Sequence, residues 1–148
     1  MTTRVDFYQL SRDPVDQVVP QLAQRVIEAR ERLLIVAKEH ALLASLSDAL
    51  WAEGDGAFLA HGLADAPHAQ HQPILLSQDC EPTNGARMVL LADGQWREEA
   101  ERFERAMLLF DADAAPMARE VWRRLDPRDD IDNRIHKQTA QGSWREGR

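Results

Sequence analysis

The stretch Leu33-Leu34-Ile35-Val36-Ala37 constrains this chain more than any other: an uninterrupted apolar run between charged Glu31-Arg32 and Lys38-Glu39. A run this short predicts a strand buried on both faces, and such strands belong to parallel sheets covered by helices on either side. Its flanks agree. Val15, Val18, Val19, Leu22, Val26 and Ile27 before it, and Leu42, Leu43, Leu46, Ala49 and Leu50 after it, recur at three- and four-residue steps. They predict helices over residues 14–29 and 39–52, the first opened by Pro14 and the second stopped by Gly54. Pro20 argues for a start later than Pro14. With a first strand over Arg4 to Leu10, the order is strand, helix, strand, helix, which points to a three-layer α/β sandwich with a mostly parallel sheet.

Further along, Ala57-Phe58-Leu59-Ala60 is expected as a short edge strand and Ala64 to Gln72 as a polar surface loop. Ile74-Leu75-Leu76 and Met88-Val89-Leu90-Leu91 read as strands separated by the turn-rich Glu81-Pro82-Thr83-Asn84-Gly85. Glu98 to Glu104 is expected as a short helix, Arg105 to Phe110 as the last strand, and Ala114 to Leu125 as a final helix with Asp113 as cap and Pro116 in its first turn. Residues 1–125 are thus expected as one α/β domain. Asp126 to Arg148 is dense in charge, with Ile131 and Ile135 as its aliphatics, and is expected as a mobile tail or a short surface helix.

Composition narrows the function classes. A length of 148 residues, 44% hydrophobic and 29% charged, suits a single ordinary globular domain. A net charge of −7 argues against a general nucleic-acid binder. The single cysteine, Cys80, excludes an internal disulfide or a multi-cysteine metal site and fits a reducing compartment. No apolar run approaches a membrane span, and the N-terminus lacks the apolar segment of a secretory signal, so a cytoplasmic location is expected.

Catalytic signatures are scarce. The turn after the first strand, Ser11-Arg12-Asp13-Pro14, has no glycine pattern for a phosphate, and Asp13 would repel one. His61, His68, His71 and Cys80 have the residue types of a zinc site, but no paired ligand spacing supports one, and a solvated loop explains them better. Ser45 and Ser77 lack a nucleophile elbow, and Cys80 lacks the local signature of an activated thiol. No catalytic residue, cofactor or metal is therefore assigned.

Two places ask for more than a fold. Trp51, at the end of the second predicted helix, is followed closely by Phe58 and His61; these aromatics belong either to the core, the commoner fate, or to an exposed partner surface. In the last helix Arg119, Trp122 and Arg123 stand at i, i+3 and i+4, placing two guanidinium groups around an indole on one face. That grouping suits an acidic peptide with an apolar anchor, because arginine forks pair with carboxylates. The alternative is a solvated face with Trp122 folded inward.

With the opening Phe7-Tyr8-Gln9-Leu10, these places resemble a known family, the chi subunit of the bacterial DNA polymerase III clamp-loader assembly. Phe7-Tyr8-Gln9-Leu10 is similar to that family's opening F-Y-x-L, Leu50-Trp51 to its L-W, and Phe58-Leu59-Ala60-His61 to its F-x-P-H, with Ala60 in place of proline. Ala118-Arg119-Glu120-Val121-Trp122-Arg123 resembles its A-R-E-R-[YW]-[KR], so the similarity covers about residues 4–125. The resemblance implies a non-catalytic adaptor with a Rossmann-like fold lacking nucleotide-binding residues. It further implies that Arg119, Trp122 and Arg123 bind the acidic C-terminal tail of single-stranded-DNA-binding protein. Trp51, Phe58 and His61 would contact a psi subunit linking the chain to the clamp loader, as a heterodimer where psi is present and a monomer otherwise. The long charged C-terminus departs from the family, and its Asp129-Asp130-Ile131 resembles an acidic tail able to compete for the arginine face.

Two other classes compete with this reading. A small α/β enzyme would use Arg119 and Arg123 to anchor a phosphorylated or acidic metabolite, and needs a concave site with a general acid or base. A direct binder of single-stranded DNA needs a continuous basic groove, and Arg119 to Arg148 carries only a small positive excess.

Overall fold

Strand β2 (Leu33–Val36) is buried along its whole length inside an eight-stranded sheet, third from one edge. It pairs in parallel with β4 (Ile74–Ser77) on one side and β5 (Met88–Leu91) on the other. The computed structural model describes residues 2–52 and 59–147. Its remaining elements are β1 (Thr3–Gln9), α1 (Val15–Glu28), α2 (His40–Ala52), β3 (His61–Leu63), β6 (Arg105–Phe110), α3 (Ala115–Leu125), β7 (Ile131–Gln138) and β8 (Trp144–Gly147). Short 3-10 turns occupy Ala69–His71 and Glu98–Arg102. The sheet runs β3-β4-β2-β5-β6-β1-β7-β8, parallel except for β8, which turns back antiparallel on β7.

Alternation along the central strands sorts the core into two halves. Leu33, Ile35, Leu76, Leu90, Met107 and Leu109 face α1 and α2, meeting Val18, Val19, Leu22, Leu43 and Leu46. Val5, Phe7, Leu34, Val36, Val89, Leu91 and Leu108 face the other way, toward Ala118, Val121 and Leu125 of α3. The fold is therefore the expected mostly parallel α/β sandwich.

Several expectations are corrected. Helix α1 starts at Val15, later than Pro14 as expected, but Pro20 does not delay it further and lies buried inside the helix. The final helix has Ala114 as its cap residue and no side-chain cap, so Asp113 does not cap it; Asp111 Oδ1 accepts from the Ala114 N–H at 3.0 Å in the turn before it. In the expected edge strand, Ala57 and Phe58 lie outside the described residues, Leu59 and Ala60 are outside any strand, and the edge strand runs over His61–Leu63.

The largest correction is at the C-terminus. The segment expected as a tail forms β7 and β8, and β7 pairs with β1 in register from Thr3↔Ile131 to Gln9↔Lys137. β6 is therefore not the last strand. Aliphatic content misled because the polar side chains of β7 find partners inside the protein: His136 bonds to Asp6, Asn133 to the Trp122 carbonyl and Gln138 to the turn after β1. Ile131 is buried in the core beside α3, so Asp129-Asp130-Ile131 is not a free acidic tail.

Candidate functional site: the α3 face and the closed β1–α1 turn

Strands β1 and β6 are neighbours whose connections diverge, β1 crossing through α1 toward β2 and β6 through α3 toward β7. In open α/β sheets the crevice beyond such a divergence is where ligands sit. Here a crevice of about 840 Å³ opens at that point, bordered by Asp13, Asp93 and Asp111 with Leu10 and Phe110. Asp93 is held below the usual carboxylate range: burial pushes it up, but hydrogen bonds from Arg97 and the Lys38 backbone outweigh that. With three carboxylates against the one cation Arg12 in its lining, the crevice disfavours phosphate.

The turn that would cradle a phosphate is already filled. The consecutive backbone N–H groups of Ser11, Arg12 and Asp13 donate to Gln138 Oε1 at 3.2, 2.9 and 3.1 Å. Gln138 in turn donates through Nε2 to Asp13 at 2.8 Å, and the Ser11 hydroxyl donates to the Gln138 carbonyl at 2.7 Å. The hairpin turn closes the arrangement, with Arg12 donating to the Gln141 carbonyl at 2.5 Å. Gly142 adopts φ +86° there, where a Cβ would collide with the Arg12 guanidinium. A side-chain amide of the chain itself thus takes the place an anion has in nucleotide-binding relatives of this architecture.

On α3 the buried stripe is Ala115, Ala118, Val121 and Leu125. Arg119 and Arg123 lie exposed beside it, with neither an ion-pair nor a hydrogen-bond partner among the described residues. Between them Trp122 is half-buried, its ring edge-on to Phe7 with centroids 5.0 Å apart. Both alternatives for Trp122 therefore hold in part: one edge rests on the core while the rest borders solvent. The three residues named from the sequence are brought to one face, and β7 adds others that no helical spacing reveals. Ile135 pairs in register with Phe7, and buried Asn133 donates through Nδ2 to the Trp122 carbonyl at 3.2 Å. The Asn133 Oδ1 is buried with no hydrogen-bond partner. Asn133 thus ties β7 to the backbone of α3 behind Trp122.

At the far edge of the sheet, Trp51 is 57% exposed and is not a core residue. His61 is buried beneath it, ring centroids 4.4 Å apart, with Nδ1 donating to the Leu59 carbonyl at 2.8 Å and Nε2 bonded to the Ser47 hydroxyl at 3.0 Å. His61 props Trp51 outward. Phe58 lies outside the described residues. Elsewhere, burial pushes the Cys80 thiol up to about 11, with Glu99 adding to the shift, which leaves little thiolate at neutral pH. Among the described residues no helix is long and apolar enough to cross a membrane.

The fold and these surfaces define a Rossmann-like α/β protein whose turn after the first strand is closed by its own chain and whose last helix presents exposed arginines around a tryptophan. Residues 1–129 match the family model of the DNA polymerase III chi subunit, HolC, and the chain belongs to that family, an accessory component of the replicative polymerase. The matched stretch runs from β1 through α3, and β7 and β8 follow it. No curated protein matches the chain.

Proposed function

We propose that this protein is a non-catalytic adaptor of the cytoplasmic polymerase III holoenzyme. It captures the acidic C-terminal tail of single-stranded-DNA-binding protein on the α3 face and joins the clamp loader through a psi subunit at the Trp51 edge. The carrying observation is the pair of exposed guanidinium groups, Arg119 and Arg123, without partners among the described residues and flanking half-buried Trp122. In this reading the arginines hold the tail's terminal carboxylate and acidic residues, and Trp122 with Ile135 borders its last apolar side chain. For the psi contact, the support is an exposed tryptophan held outward on a hydrogen-bonded histidine.

Calorimetric titration with a peptide ending in Asp-Asp-Ile-Pro-Phe tests the first contact. Arg119→Ala and Arg123→Ala should each weaken binding roughly tenfold, about 1.4 kcal/mol, in the range of charge-assisted hydrogen bonds. Affinity should fall with salt, since these charges are exposed. An absence of binding, or binding indifferent to both arginines, removes the α3 assignment. Trp51→Ala should abolish co-purification with psi while leaving the peptide titration unchanged.

The enzyme alternative has less support. The crevice at the sheet's C-terminal edge carries three carboxylates, Asp13, Asp93 and Asp111, against one cation, Arg12, and its phosphate turn is filled by Gln138, so an acidic metabolite is disfavoured there.

A further inference from the structure

On β7, Ile131, Asn133, Ile135 and Lys137 alternate onto the side that faces α3, and Lys137 stands opposite Arg145 of β8. Both cations are exposed, and neither has an ion-pair or hydrogen-bond partner among the described residues. Like charges directly opposed across strands repel, so the pair costs the hairpin stability unless something outside the chain neutralises it. A concavity of about 570 Å³ holds both residues together with Ile135 and Gly147. Among the described residues its one carboxylate is Glu146, 3.6 Å from Arg134 on the opposite side of the sheet.

We propose that Lys137 and Arg145 form a second subsite, for acidic residues, that continues the α3 face along the hairpin. The inference rests on the α3 reading above. Ile135, beside Phe7 and Trp122, is the link between the two: from it to Lys137 is about 7 Å along the strand, roughly two residues of an extended peptide. The occupant is therefore an acidic peptide whose apolar end lies at Trp122 and Ile135 and whose upstream carboxylates reach the hairpin. Charge complementarity selects it, since four cations without partners among the described residues, Arg119, Arg123, Lys137 and Arg145, lie on α3 and on the α3-facing side of the hairpin in an otherwise acidic protein.

Two peptides with the same apolar C-terminal segment, one extended upstream by acidic residues and one by serines, are titrated against the wild type at low salt. The acidic extension should tighten binding roughly threefold to tenfold, the scale of two exposed charge pairs. Lys137→Ser with Arg145→Ser should erase that advantage while leaving the serine-extended peptide's affinity unchanged; Lys137→Glu with Arg145→Glu should reverse it. Arg119→Ala with Arg123→Ala should weaken both peptides alike. If the acidic extension confers nothing, or the hairpin variants weaken both peptides equally, the subsite is overturned and the α3 reading stands. If neither peptide binds the wild type, the α3 reading falls and the subsite falls with it. Binding of a thymidine oligonucleotide that depends on Lys137 and Arg145, without a peptide effect, also overturns the proposal and assigns the pair to nucleic acid. Thermal melts of each variant verify that the hairpin is retained.

Discussion

The two sides of strand β7 carry charge in opposite ways. On the side away from α3, charged groups are paired. Asp6, fully buried, receives Arg105 at 2.7 Å, His136 at 2.7 Å and Arg4 at 2.9 Å. The Arg105 guanidinium also donates to the Tyr8 hydroxyl, and Tyr8 stacks on His136 with centroids 4.5 Å apart. Trp144 closes over Tyr8, and Arg134 pairs with Asp132 and Glu146. On the side facing α3, Arg119, Arg123, Lys137 and Arg145 have no such partners among the described residues. Charges satisfied within the chain hold the C-terminal strands in the sheet, whereas charges left exposed and unpaired are available to another molecule.

The largest effect that tests this division is expected at Asp6. Asp6→Asn leaves two guanidinium groups and an imidazole without their shared carboxylate and should cost about 3 kcal/mol in urea denaturation, the scale of breaking a buried ion pair. Peptide affinity at α3 should be unchanged; a parallel loss of affinity would show that the two sides are one coupled network. The same group sets an acid limit. Burial pushes the Asp6 carboxyl up, but the Arg105 charge and the hydrogen bonds from His136, Arg4 and Arg105 outweigh it and hold it below its ordinary value. The native state then binds this proton less readily than the unfolded chain, so the stabilisation is present above about pH 4 and lost as pH falls through the lowered native value. The Asn variant should lack that part of the acid dependence.

A smaller effect is expected at Gln138. Gln138→Ala strands the N–H groups of Ser11, Arg12 and Asp13 together and should cost about 2 kcal/mol, with faster amide hydrogen exchange at those positions and not at β2. Protection that persists in the variant would mean that Gln138 does not close the turn. The smallest effect has the opposite sign. Lys137→Ser relieves the repulsion with Arg145 and should raise stability by about 0.3 kcal/mol in the same denaturation assay. A measurable loss would place Lys137 with the structural charges and blur the division.

The β2 run, the periodic helices and the arginine spacing on α3 were legible because each is a local pattern repeated at the period of its element. Trp122 was legible only as a pair of alternatives, since its half-burial depends on Phe7, far away in the chain. Asn133 and Ile135 escaped because nothing in a polar stretch with two aliphatics announces a strand.

The sequence by itself determined an α/β sandwich, the absence of a glycine phosphate motif, and two arginines around a tryptophan on one helix face. Tertiary structure decided that the charged C-terminus is two strands, that Gln138 occupies the anion turn, and which cations remain unpaired. The physical reason is the range of the contacts. Apolar periodicity records what each residue shows to the core within a few positions, whereas Asp6 and His136 meet across a separation of 130 residues and bond only once β7 lies beside β1.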